Sequence, residues 1–144
     1  MTKRVTIEWP DLNISVSATL LEEKNPELCD VFWSHLPFES VQEHTVVSGK
    51  GTYCWAPIVT TAPARHTERS TETPVGRLQY IGATGNKIGL VYGPITEPLE
   101  HAIPIGQVVE DDLEKLKVVG RAVWDSTFYT KKIIMVHFMK APGT

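Results

Sequence analysis

Apolar and polar residues alternate from the start of the chain. Val5, Ile7 and Trp9 are separated by Thr6 and Glu8, and after Pro10-Asp11 the alternation resumes at Leu12, Ile14, Val16, Ala18 and Leu20. A period of two puts these residues on one face of extended backbone, so the segment reads as a β-hairpin with one buried side. The period then changes. Leu28, Val31, Phe32 and Leu36 recur at helical spacing behind Asn25-Pro26-Glu27. Asn suits the cap, Pro is tolerated at the first helical position, and Glu favours the positive end. Pro37 closes this stripe of three turns, because proline disfavours helical geometry in the residue before it.

Residues 36–57 predict two strands joined by a short turn, with an acid, a histidine, a tyrosine and a tryptophan among the apolar positions. Residues 58–74 read as a long loop filled with Pro, Thr, Ser and charge; loops beyond about 12 residues in a compact domain tend to be functional or disordered. Residues 77–82 and 87–93 predict a second hairpin turning at Ala83-Thr84-Gly85-Asn86. An irregular stretch over 94–104 and a short strand over 105–109 follow. Asp111-Asp112-Leu113-Glu114 has the spacing of a capping box, and Gly120 suits the left-handed end of the short helix it would open. Trp124, Phe128 and Tyr129 lead to a final strand over 131–139.

About eight short strands, two short helices and mostly hairpin links define a mainly β chain. A closed β-barrel capped by the helices is the expected form, since an open sheet would leave long apolar edges exposed. There is no internal repeat, and residues 1–144 read as a single domain.

Composition narrows the function. With 144 residues and 42% hydrophobic content, one domain with one sizeable core is expected. A net charge of −3 argues against a nucleic-acid partner. No apolar run approaches the roughly 18 residues of a membrane helix. Met1-Thr2-Lys3-Arg4 leads straight into the first strand pattern, so a cytoplasmic protein is expected. Cys29 and Cys54 lack C-x-x-C spacing and read as buried, reduced thiols. The histidines (His35, His44, His66, His101, His137) are scattered, so no metal site is expected. Gly82, Gly85 and Gly89 do not form the G-x-G-x-x-G turn of a nicotinamide site, so no redox cofactor is expected either.

The order of elements resembles the cyclophilin-like barrels, and more narrowly the small bacterial proteins of that fold. The resemblance rests on Leu36-Pro37-Phe38-Glu39-Ser40, on Ile88-Gly89-Leu90-Val91-Tyr92-Gly93-Pro94, and on Ile105-Gly106-Gln107-Val108-Val109 before Leu113-Glu114-Lys115-Leu116. Prolyl isomerases of this superfamily carry Phe-His-Arg where this chain has Glu43-His44-Thr45. The arginine that supports the twisting peptide bond is missing, which disfavours isomerase activity. The chain is similar to the cucumopine synthases, opine synthases built on this fold. That resemblance implies a Pictet–Spengler condensation of histidine with 2-oxoglutarate to cucumopine, without a cofactor.

Such chemistry needs a proton donor for the departing water and a base for the amine and ring protons, with pKa values near the working pH. Glu43 and His44 are neighbours on a strand and face opposite sides. His44 is either the favoured base, with Tyr53 as a proton relay, or a hydrogen-bonded structural residue; Glu43 is either a second acid–base group or a solvent-facing charge. Glu39 either orients a substrate amine or bonds to amides at the helix exit. Carboxylate substrates call for guanidinium groups. Between residues 49 and 77, Lys50, Arg65, Arg69 and Arg77 outnumber Glu68 and Glu72, a local positive patch into which His66 also falls. Arg65, His66 and Arg69 are therefore expected either to bind substrate or to belong to a solvated loop, with Trp55 and Tyr92 as walls or as plain core. Two other accounts stay open. One is a non-catalytic module holding a small acidic metabolite; the other is a subunit that docks an identical partner through residues 124–129. A homo-oligomer is expected on that basis.

Overall fold

The computed structural model describes residues 2–82, 85–99 and 101–143. Among the described residues, nine strands form one antiparallel sheet: β1 (Arg4–Trp9), β2 (Ile14–Leu20), β3 (Phe38–Val41), β4 (Glu43–His44), β5 (Gly49–Trp55), β6 (Arg77–Ile81), β7 (Lys87–Ile95), β8 (Ile103–Val108) and β9 (Met135–Lys140). Their order is β3-β9-β1-β2-β8-β6-β7-β5-β4. The two outermost strands, β3 and β4, are consecutive in the chain with only Gln42 between them. The sheet therefore curls until its edges meet, which gives the nearly closed barrel that the alternation predicts. Helix α1 (Pro26–Ser34) and helix α2 (Leu113–Asp125) pack against it.

Gln42 forms the seam. Its backbone N–H donates to the Ile134 carbonyl at 2.8 Å. Its side-chain Nε2 donates to the Tyr53 carbonyl at 2.8 Å, and its Oε1 accepts the indole N–H of Trp9 at 2.8 Å. This residue also explains why residues 36–57 hold three strands and not two. Before it, β3 pairs with β9, with Phe38 opposite Phe138 and Glu39 opposite His137. After it, β4 pairs with β5, with Glu43 opposite Tyr53 and His44 opposite Thr52.

The core follows the alternation closely. Val5, Ile7, Trp9, Val16, Ala18 and Leu20 are all buried. Helix α1 buries Leu28, Cys29 and Phe32, and the Phe32 ring meets Phe38 and Phe138 edge-on at 6.1 and 5.9 Å. Cys29 and Cys54 are buried free thiols, each pushed up to about 12, chiefly by burial.

Three local expectations are corrected by long-range contacts. Asn25 makes no side-chain cap on α1. Its Oδ1 accepts the N–H groups of Arg65 and His66 at 2.8 and 3.1 Å, and its Nδ2 donates to the carbonyls of His66 and Pro104 at 3.0 and 2.8 Å. Asp112 likewise makes no side-chain cap; its Oδ2 accepts the Ser17 N–H at 2.8 Å. Gly120 does not end α2, which continues to Asp125 and then a wider turn over Ser126–Thr130. A side chain at Gly120 would strike the ring of Tyr92, so glycine is needed here for close packing.

Strand β7 reaches Ile95, β8 begins at Ile103, and β9 starts only at Met135. Of the predicted 83–86 turn, Ala83 and Thr84 lie outside the described residues. Among the described residues no helix is long and apolar enough to cross a membrane.

Candidate active site

The inner face of β5, β6 and β7 carries Cys54, Leu78, Ile88 and Leu90 into the core. The residues between them must face outward. Register places Glu43, Tyr53, Gly89, Gln79 and Pro104 in one row across β4, β5, β7, β6 and β8. The next row on that face holds Trp55, Lys87 and Ile81. Gly89 adds no side chain to its row and is itself buried: a Cβ there would sit 3.1 Å from Ile81 Cδ1 and 3.6 Å from Gln79 Oε1, which pack beside it.

The segment after β7 covers this face. Thr96 N–H donates to the Ser48 carbonyl at 2.7 Å, and Ser70 N–H donates to the Leu99 carbonyl at 2.7 Å. The Ser70 hydroxyl accepts the Leu99 N–H at 2.7 Å. Farther on, Glu68 and Ala102 form an isolated β-bridge. The Glu68 carboxylate is clasped by Arg77 through Nε at 3.0 Å and Nη2 at 2.6 Å. Between this cover and the sheet lies a cleft of about 630 Å³, lined among others by Tyr53, Gln79, Lys87, Gly89, Glu97 and His101. Its size suits a small-molecule ligand.

Two groups in the cleft have defined electrostatics. Burial pushes the Tyr53 phenol up, and the Glu43 carboxylate opposite it adds to the effect. Tyr53 is therefore held in its protonated, donating form. Lys87 Nζ stands 5.1 Å from the Tyr53 ring centre and 4.8 Å from that of Trp55, a placement favoured by attraction between a cation and aromatic faces.

His44 lies on the other side of the sheet and is 2% exposed. Its Nδ1 is 2.8 Å from the Thr45 carbonyl. A carbonyl only accepts, so Nδ1 carries the proton; Nε2 then accepts the Tyr92 hydroxyl at 2.6 Å. Burial pushes the imidazole pKa down, in keeping with this neutral form. The Trp124 ring meets it edge-on at 4.8 Å and that of Phe128 at 6.5 Å. Gly120 admits Tyr92 to this cluster. Trp124 and Phe128 are thus turned onto His44, and Tyr129, 72% exposed, is the outward ring of the segment expected to dock a second copy.

The expected site residues separate into groups. Tyr53 lines the cleft, with Glu43 beside it in register. His44 and Tyr92 form their own pair behind the sheet, so Tyr53 is not the partner of His44. Trp55 flanks the cleft as the aromatic neighbour of Lys87 and is half exposed. Glu39 lies on β3, where its carboxylate is 3.0 Å from His137 Nε2. Arg65 is paired with Glu27, and Arg69 lies 4.0 Å from Glu72. The backbone of His66 is held by Asn25. Of the expected site residues Tyr53 lines the cleft, and Glu39, Glu43, His44, Trp55, Arg65, His66, Arg69 and Tyr92 are not part of its lining. Gln79, Lys87, Gly89, Glu97 and His101 were not singled out as site residues by the sequence. The available signal was the outward period Lys87-Gly89-Val91, in which a glycine interrupts a side-chain row.

A nearly closed, mainly β barrel with two helices and an outward cleft is the class of protein that fold and site define. The chain belongs to the family described as Protein of unknown function (DUF3830), whose model matches residues 5–133. It is similar to the structure described as McbB in complex with tryptophan, with 34% identity and a TM-score of 0.88. That match covers 97% of this chain and 45% of the McbB chain, so this chain spans less than half of that protein. The solution structure of the hypothetical protein AF2241 from Archaeoglobus fulgidus shares the fold at 17% identity and a TM-score of 0.62, covering 97% of this chain and 95% of its own. No curated protein matches the chain.

Proposed function

We propose that this protein is a condensing enzyme of Pictet–Spengler type, joining an amino acid that bears a nucleophilic ring to a 2-oxo acid. Histidine and 2-oxoglutarate are the pair implied by the resemblance to the cucumopine synthases. The observation that carries the reading is the 34% identity, over nearly the whole chain, to a protein solved with tryptophan. Tryptophan and histidine share the relevant chemistry: each joins a primary amine to an electron-rich ring.

The steps balance without an oxidant or reductant. The amine adds to the oxo carbon, water leaves, and an iminium remains. A ring carbon attacks the iminium carbon, and loss of the proton from that ring carbon restores aromaticity. Tyr53, kept protonated, donates to the departing water, and Glu43 beside it takes up protons. Lys87 offers its charge to a substrate carboxylate. Enclosure by Ile95, Glu97, Leu99, His101 and Ile103 limits the access of water to the iminium. Arg65 and Arg69, outside the cleft, add to the field met by an incoming dianion. His44 holds α2 against the strand that presents Glu43.

The test is direct. Purified protein is incubated with histidine and 2-oxoglutarate, and in parallel with tryptophan, without nicotinamide cofactor. Mass spectrometry should reveal an adduct equal to both reactants less one water. Calorimetric binding of the reactants with no adduct from either amine would favour the metabolite-binding module and sink this reading.

A further inference from the structure

The two ends of the cleft differ in chemistry. Along β5, Trp55, Tyr53 and Gly51 face outward in turn, and register sets them opposite Lys87, Gly89 and Val91 of β7. The Gly51–Val91 row therefore lies on the far side of Tyr53 from Lys87. The turn over residues 45–48 and the segment after β7 enclose it: Thr45 N–H donates to the Gly51 carbonyl at 3.1 Å, and Thr96 N–H to the Ser48 carbonyl at 2.7 Å. Val46, Val91, Ile95 and Leu99 all belong to the lining. Val46 is 71% exposed and Leu99 54%, so two of these apolar side chains stand largely in water.

The hydroxyl groups at this end have no proton left for an anion. That of Thr45 donates to the carbonyls of Gly49 and Gly51, that of Ser70 to the Glu97 carbonyl, and that of Ser48 to the Glu97 carboxylate at 3.4 Å. Among the described lining residues, Glu97 is the one carboxylate and Lys87 the one lysine or arginine. A carboxylate brought in beside Val46 would lose its water, meet like charge and find the hydroxyl donors engaged, an arrangement that disfavours it.

We infer that this end of the cleft takes an uncharged aliphatic side chain. The oxo acid of the condensation is then a monocarboxylate with an aliphatic tail, and not the dicarboxylate that the resemblance to the cucumopine synthases implies. The inference rests on the condensing reading for the oxo group of its ligand. Such a tail covers Val46 and Leu99 from water, and removal of apolar surface from water favours binding. A second carboxylate gains no such contact.

Calorimetry on the whole protein tests this, with 2-oxoglutarate and the oxo acid corresponding to leucine as separate probes. The leucine-derived acid should bind at least tenfold more tightly. Val46→Ser combined with Leu99→Ser changes two exposed side chains, so the fold is kept; it should weaken the leucine-derived acid roughly tenfold and leave 2-oxoglutarate unchanged. Glu97→Gln should strengthen 2-oxoglutarate several-fold and leave the aliphatic acid as it was. The inference is overturned if the unaltered protein binds neither acid, if 2-oxoglutarate binds as tightly as its competitor, or if the double variant binds the aliphatic acid normally. Turnover is read separately. Preferential binding of the aliphatic acid with no adduct from either would keep this inference and sink the condensing reading; adduct from 2-oxoglutarate with no preference in binding would do the reverse.

Discussion

Trp9 gives its indole N–H to the side-chain oxygen of Gln42, and both residues are buried. The same glutamine donates to the Tyr53 carbonyl, so one side chain ties the barrel's interior to the strand that lines the cleft. Gln42→Leu keeps the volume and strands both partners. Loss of about 2–4 kcal/mol is expected, since each buried group left unpaired costs roughly 1–3 kcal/mol. Urea unfolding followed by Trp fluorescence measures it; a loss below about 1 kcal/mol would show that water replaces the amide.

The buried, neutral His44 sets an acid limit. Its folded-state pKa lies below the ordinary 6.5, so the unfolded chain binds the proton first as pH falls. Stability contributed by the neutral imidazole is complete above about pH 6.5 and is lost as pH drops toward the folded-state value. Unfolding free energies measured from pH 7.5 to 5 should decline, and His44→Gln should flatten that decline. An unchanged slope in the variant would place the titrating group elsewhere.

Tyr53→Phe separates chemistry from binding. Removing only the hydroxyl should lower kcat for the condensation by about 100-fold, a typical acid–base contribution, with KM moving little. Equal loss through KM would make Tyr53 a wall and not a proton donor.

The Arg77–Glu68 pair is largely buried, with the two side chains 12% and 16% exposed. Arg77→Met leaves a carboxylate without its fork-shaped partner and should cost about 3 kcal/mol. Because Glu68 also bridges to Ala102, hydrogen exchange should accelerate at Ala102. Slow exchange retained there would uncouple the pair from the cleft wall.

Arg65 and Arg69 sit on the surface with exposed acidic neighbours. Changing both to Ala should leave 2-oxoglutarate affinity within about twofold at physiological salt, where exposed charges are screened. A tenfold loss would return them to the site.

The alternating patterns in β1 and β2 marked their buried face, because a period of two is a local property. The reading failed where a residue answers to something distant. Asn25 and Asp112 look like helix caps to their neighbours, yet their side chains serve residues 65–66 and 17. Gly120 looks like a terminator until the Tyr92 ring, 28 positions earlier, is laid against it. The site divides the same way. The pairing of Tyr53 with Glu43 is a matter of one hairpin, whereas Gln79 and Lys87 join Tyr53 in the cleft lining only through the pairing of β5, β6 and β7.

The four side-chain hydrogen bonds of Asn25 bear on how the loop of residues 58–74 behaves. One amide side chain fixes that loop to the start of α1 and to β8 at Pro104, and the Glu68 bridge secures it again two residues beyond His66. A stretch whose composition suggests slack is thereby fastened before any ligand arrives. Entry into the cleft then spends little free energy on ordering its surroundings, and more of each contact goes into affinity and alignment of the reacting atoms.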